Sequence, residues 1–404
     1  MTLMTHGRSV RAAAACLAVL MMVLTGVAPG PRRGPARAAA AAPITATVTL
    51  ASTGHVAALA VDERAHRALA LQTNGPATLI DTRAMAVVGV VAAPDDASAV
   101  VYDPVDDAFV TYETGYYPGT RLAAYRARGG RRLYDVQLRL SGAQYIQAVA
   151  LDARARVVYV LVPGAAPPAM GQLLVIDAPS GRVRQTVTLP HVPLGLLAVD
   201  PASGRVYIPA AEDALIEYAG ARVPRGGDRA GWIAGLTRVV PLAGTPAALI
   251  ADGVTGRVFA ADRTGDRIVV FDGATGVAQG AASVGAAPVA LALDGAGHRL
   301  YVASKTGARI DVLDTRTGRR LRALPVGAEP DAVAVDAPHR RVYVRADDGI
   351  EVIDLVTGQR TVAVPTPLST NGPIAVDGRD GVALVGSGPL AGSATVTLID
   401  SSRS

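Results

Sequence analysis

The sequence predicts an all-β fold made of one repeated four-stranded unit, and three observations predict it. Strand-like apolar runs end in aspartate eight times, at Asp62, Asp103, Asp152, Asp200, Asp252, Asp294, Asp336 and Asp377, at intervals of 41, 49, 48, 52, 42, 42 and 41 residues. Each unit divides into short strands separated by Gly and Asp turns, as in PVALALD, HRLYVAS, ARIDVLDT and RRLRALPV from Pro288 onward. No stretch beyond the first 43 residues carries helical periodicity for more than a turn or two. A repeat of this length with four strands is one blade of a β-propeller.

Residues 1–43 differ from the rest. Arg8 and Arg11 precede an apolar run from Ala12 to Ala28, followed by a Gly-, Pro- and Ala-rich stretch holding Arg32, Arg33 and Arg37. This is the pattern of a secretory signal peptide, and the run is short for a membrane span, which needs about 20 residues. Cleavage is expected within residues 38–42, with an uncleaved N-terminal anchor as the alternative. Cys16, the only cysteine, lies inside the apolar run rather than after it, so it fits neither a lipoprotein attachment site nor a structural disulfide.

The formal net charge of +5 invites a nucleic-acid or anionic-surface reading. The leader holds five arginines and no acidic residue, so the chain after it is formally neutral. The electrostatic term that dominates nonspecific nucleic-acid binding is therefore missing, and no nucleic-acid partner is expected. The expected address is secreted, cell-surface or periplasmic, with no stable membrane span after cleavage.

Residues 44–404 read as one propeller domain. The first strand of each unit is almost wholly apolar, as a strand lining the ring beneath flanking blades should be, while later strands admit Arg and Thr. The last unit supplies PIAVD, VALVGSG and ATVTLID but no fourth strand, and the β-branched, alternating segment ITATVTL, residues 44–50, precedes the first complete unit. Pairing the two closes the ring and removes its edges. This gives eight blades; seven, with an irregular second or fourth unit displaced, is the alternative.

Unit six carries Tyr301-Val302-Ala303-Ser304, then IDVLDTRTGR from Ile310, then LPVGAEPDAVAVD from Leu324. In these features the chain resembles the YVTN-type β-propellers, a repeat family of exported bacterial and archaeal proteins that includes lactonase-like and YncE-like members. Units with Tyr159-Val160, Tyr207-Ile208 and Tyr343-Val344 keep only the first half of the signature. The resemblance implies a propeller and an extracytoplasmic location, and no particular activity.

The recurring aspartates suggest a ring of cation ligands, but an Asp at a strand end also accepts hydrogen bonds from the amides of the following turn, and every unit needs that turn. The structural role is the stronger reading, and it extends to Asp81, Asp177, Asp272, Asp314, Asp354 and Asp400 at the ends of third strands. Arg205, Arg257, Arg299 and Arg341 should then pair at neighbouring turns. Five histidines follow the leader: His66, His298 and His339 read as equivalent turn positions, whereas His55 and His191 precede innermost strands near the channel mouth. They are too scattered for a transition-metal site, so neither a metal nor a cofactor is expected.

No G-x-S-x-G elbow, H-E-x-x-H, C-x-x-C or phosphate loop is present. Departures from the repeat are more informative, since insertions fall in loops and loops carry binding. Second-to-third-strand connections are long at ETGYYPGT from Glu113, PGAAPPAMG from Pro163 and GSGPLAGS from Gly386. Tyr116 and Tyr117, with Glu113, should share a face with Gln144 and Tyr145 in the link into blade three. In a chain that is 4% aromatic this is the strongest candidate contact patch; packing beneath their own loops is the alternative for these tyrosines. The insertion from Ala221 to Gly235, holding Trp232, projects from the opposite face.

The expectation is an exported, noncatalytic binding or scaffold propeller whose ligand is a protein, glycan or small molecule. The competing expectation is a lactonase-like hydrolase or lyase using Glu113, His55, His191 or Glu329 at the channel mouth.

Overall fold

The computed structural model describes residues 44–400 apart from 74, 94–96, 114–119, 139, 141–144, 165–169, 221–236, 243, 348, 365–371 and 389–392. These residues form eight four-stranded antiparallel sheets. Blades one to seven occupy residues 56–91, 97–137, 148–188, 198–241, 246–283, 288–325 and 330–364, each in simple up-and-down order. The first strands of successive blades touch one another all the way round, blade eight against blade one included, so these strands line a closed ring. Eight blades is therefore the answer, and the seven-bladed alternative fails.

Blade eight is built from both chain ends. Its first three strands are Ile374–Asp377, Val382–Ser387 and Ser393–Asp400, and its outer strand is the N-terminal Ile44–Thr53. The outer pairing runs from Ile44 opposite Asp400 to Thr49 opposite Thr395, with an irregularity before Thr53. Segment 44–50 thus supplies the strand that the last unit lacks.

Burial explains why the repeat tolerates sequence drift. The core is divided into apolar layers, one at each junction between blades. At the closing junction Val48, Leu50, Leu384 and Leu398 of blade eight pack on Val56, Leu59 and Ile80 of blade one. Each layer repacks locally, so volume and pattern matter more than identity. Fully buried Tyr159, Tyr207, Phe259 and Tyr343 occupy one second-strand position, where the ring fills the layer. The Tyr207 hydroxyl donates to the Gly273 carbonyl of the next blade at 2.7 Å, and Tyr343 reaches Gly381 at 3.3 Å. In blades four and seven this tyrosine thus joins blades as well as filling space.

Blade four is irregular but remains a blade. Its first strand shrinks to Ala198–Val199, and just before it Gly195 turns the chain at φ 81°. An isolated bridge between Pro193 and Ala210 continues the contact.

This topology gives the ring two unlike ends. One carries the first-to-second and third-to-fourth strand turns; the other carries the second-to-third connections and the links between blades.

Candidate functional site

The turn end is held by carboxylates. All eight first-strand aspartates accept backbone amides of the following turn, among them Arg64 N to Asp62 at 2.9 Å, Val254 N to Asp252 at 2.9 Å and Gly297 N to Asp294 at 2.7 Å. Seven are buried and Asp294 is half-buried. The recurring aspartates are turn locks. Third-strand aspartates do the same: Asp314 takes the amides of Arg316 and Thr317 at 2.9 Å each. Burial works against the Asp314 carboxylate, but these amides, the Thr317 hydroxyl and Arg316 outweigh it and hold it below the usual range. The second-strand arginines divide their contacts. Arg67 and Arg299 pair with Asp81 and Asp314 of their own blades, whereas Arg205 and Arg257 also reach the Ala274 and Thr315 carbonyls of the next.

The turn histidines need a correction. His66 and His298 stand four residues after their aspartates, with φ of 56° and 54°, but in blade seven that position belongs to Arg340, φ 55°. His339 is one residue earlier and points back at its own aspartate, with Nδ1 3.0 Å from both Asp336 oxygens. DAPHRR has the length of DGAGHR, with histidine at the third place after the aspartate and Arg340 at the fourth.

At the loop end, a second set of acids holds the links between blades. Asp311, fully buried in the third strand of blade six, accepts the Gly285 amide at 2.6 Å and pairs with Arg309 and Arg320. Glu351 occupies the same place in blade seven and accepts the Gly327 amide at 2.6 Å, with Arg360 beside it. Each glycine belongs to a V-G-A-x-P link, and a Cβ there would lie 2.5 Å from Ser304 Cβ or 2.7 Å from the Glu351 carboxylate. The acid and the glycine are thus one device for setting the angle between blades. In blade four the buried acid of the third strand, Glu217, stands instead towards the turn end, between Arg205 and Arg238. Sequence reasoning missed all three acids, although each interrupts an apolar third strand, RIDVLD, GIEVID or ALIEY.

The predicted mouth residues stand in links into different blades. His55 enters blade one, its amide bonded to Thr73 Oγ1 at 3.1 Å. His191 enters blade four, with Nδ1 3.2 Å from Glu212 of the adjoining turn. Glu329, half-buried, enters blade seven. Round the eight-bladed ring these links are two or three blades apart, and no hydrogen bond or ion pair joins the three side chains. Of the predicted contact patch, Glu113 ends the second strand of blade two opposite Ala97, and Tyr145 is half-buried before Ile146 in the link into blade three. Both positions are at the loop end. Tyr116, Tyr117, Gln144 and Trp232 lie outside the described residues, as does the Glu113 side chain.

One group with metal-binding capacity occurs among the described residues. His66, Asp377 and Asp380 each bring a donor atom within 4.8 Å of the others. It joins the first blade to the last, so sequence spacing gave no sign of it.

No protein-family model matches the chain, and no curated protein does. Among solved structures, the computationally designed Ika8 protein superposes with a TM-score of 0.62 at 17% identity, covering 85% of this chain and 96% of its own. BamB from Moraxella catarrhalis superposes with a TM-score of 0.53 at 16% identity, covering 88% and 98%. Likeness at such identities carries the fold and nothing narrower: this chain is an eight-bladed β-propeller.

Proposed function

We propose that this chain is an exported, noncatalytic binding or scaffold propeller of the YVTN type, and that it engages its partner at the loop end. The observation that carries the reading is the unequal construction of the two ends. Apart from the long third-to-fourth connection of blade four, the turn end is closed with short turns locked by aspartates. The loop end receives the long connections of blades two, three and eight together with every link between blades. Binding surfaces on rigid scaffolds are built from such connections. Its acids, Asp311 and Glu351, face backbone amides and arginines and are occupied in holding links in place. The ion pair of His191 with Glu212 and the bond of His55 to Thr73 do the same locally. Export is supported by the leader, whose charge and apolar pattern match a signal peptide.

The test has two parts. Intact mass of the chain recovered from outside the cytoplasm should show a new N-terminus within residues 38–42. Replacing residues 114–119 by a two-residue Gly turn should abolish co-purification of the wild-type partner while leaving the thermal midpoint within about 2 °C. Hydrolysis of a lactone panel by the intact chain, lost on changing Glu113, His55, His191 or Glu329, would replace this reading with the enzymatic one.

A further inference from the structure

The eight junctions of the ring repeat the same positions, so each serves as a control for the others. At two junctions the residue three places after the aspartate of one blade meets the residue four places after the aspartate of the next. In blades two and three this pair is Asp106 and Arg156, which form an ion pair. In blades five and six the equivalent positions are Thr255 and His298, and the Thr255 hydroxyl turns back to its own Asp252 at 2.8 Å. In blades eight and one the pair is Asp380 and His66, and among the described residues this is where histidine meets two carboxylates.

The details of this junction suit a cation. His66 Nδ1 lies 2.5 Å from Asp380 Oδ2 and 3.9 Å from Asp377 Oδ2. Both His66 Nδ1 and Asp380 Oδ2 are fully occluded, yet neither has a hydrogen-bond partner. The contact is too poorly aligned for a hydrogen bond, so what can compensate it in this occluded site is a protonated imidazole or a bound cation. Arg83 approaches only the other oxygen of Asp380, at 3.4 Å, and its side chain is 64% exposed. Asp377 is fully buried and fixed by the Thr82 hydroxyl at 2.6 Å and by the Arg379 and Asp380 amides. Glu63 adds a further carboxyl close by, accepting the Gly378 amide at 3.3 Å.

We propose that His66, Asp377 and Asp380 bind a divalent transition-metal ion that clasps blade eight to blade one. Imidazole nitrogen with two carboxylates is a zinc-type donor set, and too few oxygens converge for calcium, which takes six to eight. Tetrahedral donors at about 2.0–2.2 Å from one ion stand roughly 3.4 Å apart, so His66 Nδ1 and Asp380 Oδ2 must open from 2.5 Å while Asp377 Oδ2, at 3.9 Å, moves in, both by small side-chain rotations. Water completes the coordination. The ion stabilises the seam at which the ring is held by noncovalent contacts between chain ends, and it binds on the face opposite the proposed partner surface.

The repeat also supplies variants that should fold. Gly204, Gly256 and Gly381 occupy the His66 position in other blades at positive φ, and Thr255 occupies the Asp380 position. The chelator-treated full chain would be titrated with Zn2+ by calorimetry and by denaturant midpoint, alongside His66→Gly, Asp380→Thr and the control His298→Gly. The expected result is one zinc per chain, a higher midpoint, and at least a tenfold weaker Kd in both site variants with the control unchanged. Absence of zinc binding by a wild-type chain that folds normally would overturn the proposal. Binding retained undiminished in both site variants would also overturn it, as would a seam that responds to pH but not to zinc, the behaviour of a plain ion pair.

Discussion

The Thr82 hydroxyl of blade one donates a 2.6 Å hydrogen bond to the buried Asp377 carboxylate of blade eight, 295 positions away in the chain. This bond belongs to a seam that also contains the outer strand Ile44–Thr53 and the layer around Leu50 and Leu384. Closure is therefore distributed over both ends of the ring.

Leu50 is 3% exposed in that layer. Leu50→Ala should cost about 2–5 kcal/mol, the range for a truncated core leucine. Deleting residues 44–50 should lower stability far more, since it leaves the Ser393–Asp400 strand without its partner. Urea midpoints of the two variants test the order; a deletion no worse than the point change would mean that the outer strand adds little.

Tyr207→Phe keeps the ring in its layer and removes the 2.7 Å bond to Gly273. The expected loss is about 1 kcal/mol, the net worth of one such bond. Chemical denaturation at neutral pH measures it, and Tyr301→Phe, for which no comparable bond is seen, is the comparison.

The bond from Asp336 raises His339 above the usual 6.5, against the opposing effect of burial. A raised folded value means stabilisation that is complete below about pH 6.5 and lost as pH rises through the folded pKa. The wild-type midpoint should decline across that window, and His339→Ala should flatten the decline. Parallel curves would show that the pair contributes nothing.

At the acid end the sign reverses. Turn amides and the Thr275 hydroxyl hold Asp272 below its usual range, and similar bonds overcome burial at Asp314 and Asp354. Their stabilisation is present above about pH 3.8 and lost as pH falls through the folded values. Changing all three to Asn should lower the midpoint at pH 7 more than at pH 3.

For the contact patch, Tyr116→Ala, Tyr117→Ala and Tyr145→Ala should each weaken partner binding while the thermal midpoint stays nearly constant. A fall of many degrees would identify them as packing residues.

The fold was legible because a blade is a local object: its strands, its Asp turn and its Arg lie within about 45 residues, so each unit displays the whole pattern. Closure was legible too, since one end lacked a strand and the other offered ITATVTL. Relations between blades were harder to read. The meeting of His66 with Asp380 depends on which blade follows which, and Asp311 and Glu351 looked like interruptions of a strand until the Gly285 and Gly327 amides were seen against them. The shift of His339 could have been counted from Asp336, but the shared histidine concealed it.

Pairing Ile44–Thr53 with Ser393–Asp400 also dictates a schedule. During synthesis the opening strand emerges first and has no partner until some 340 residues later, roughly 20–70 s at ordinary elongation rates. For that interval a β-branched edge without charged side chains is bare, the kind of edge that recruits other chains. The early blades can assemble first, but the ring cannot lock until Ser393–Asp400 is available to pair.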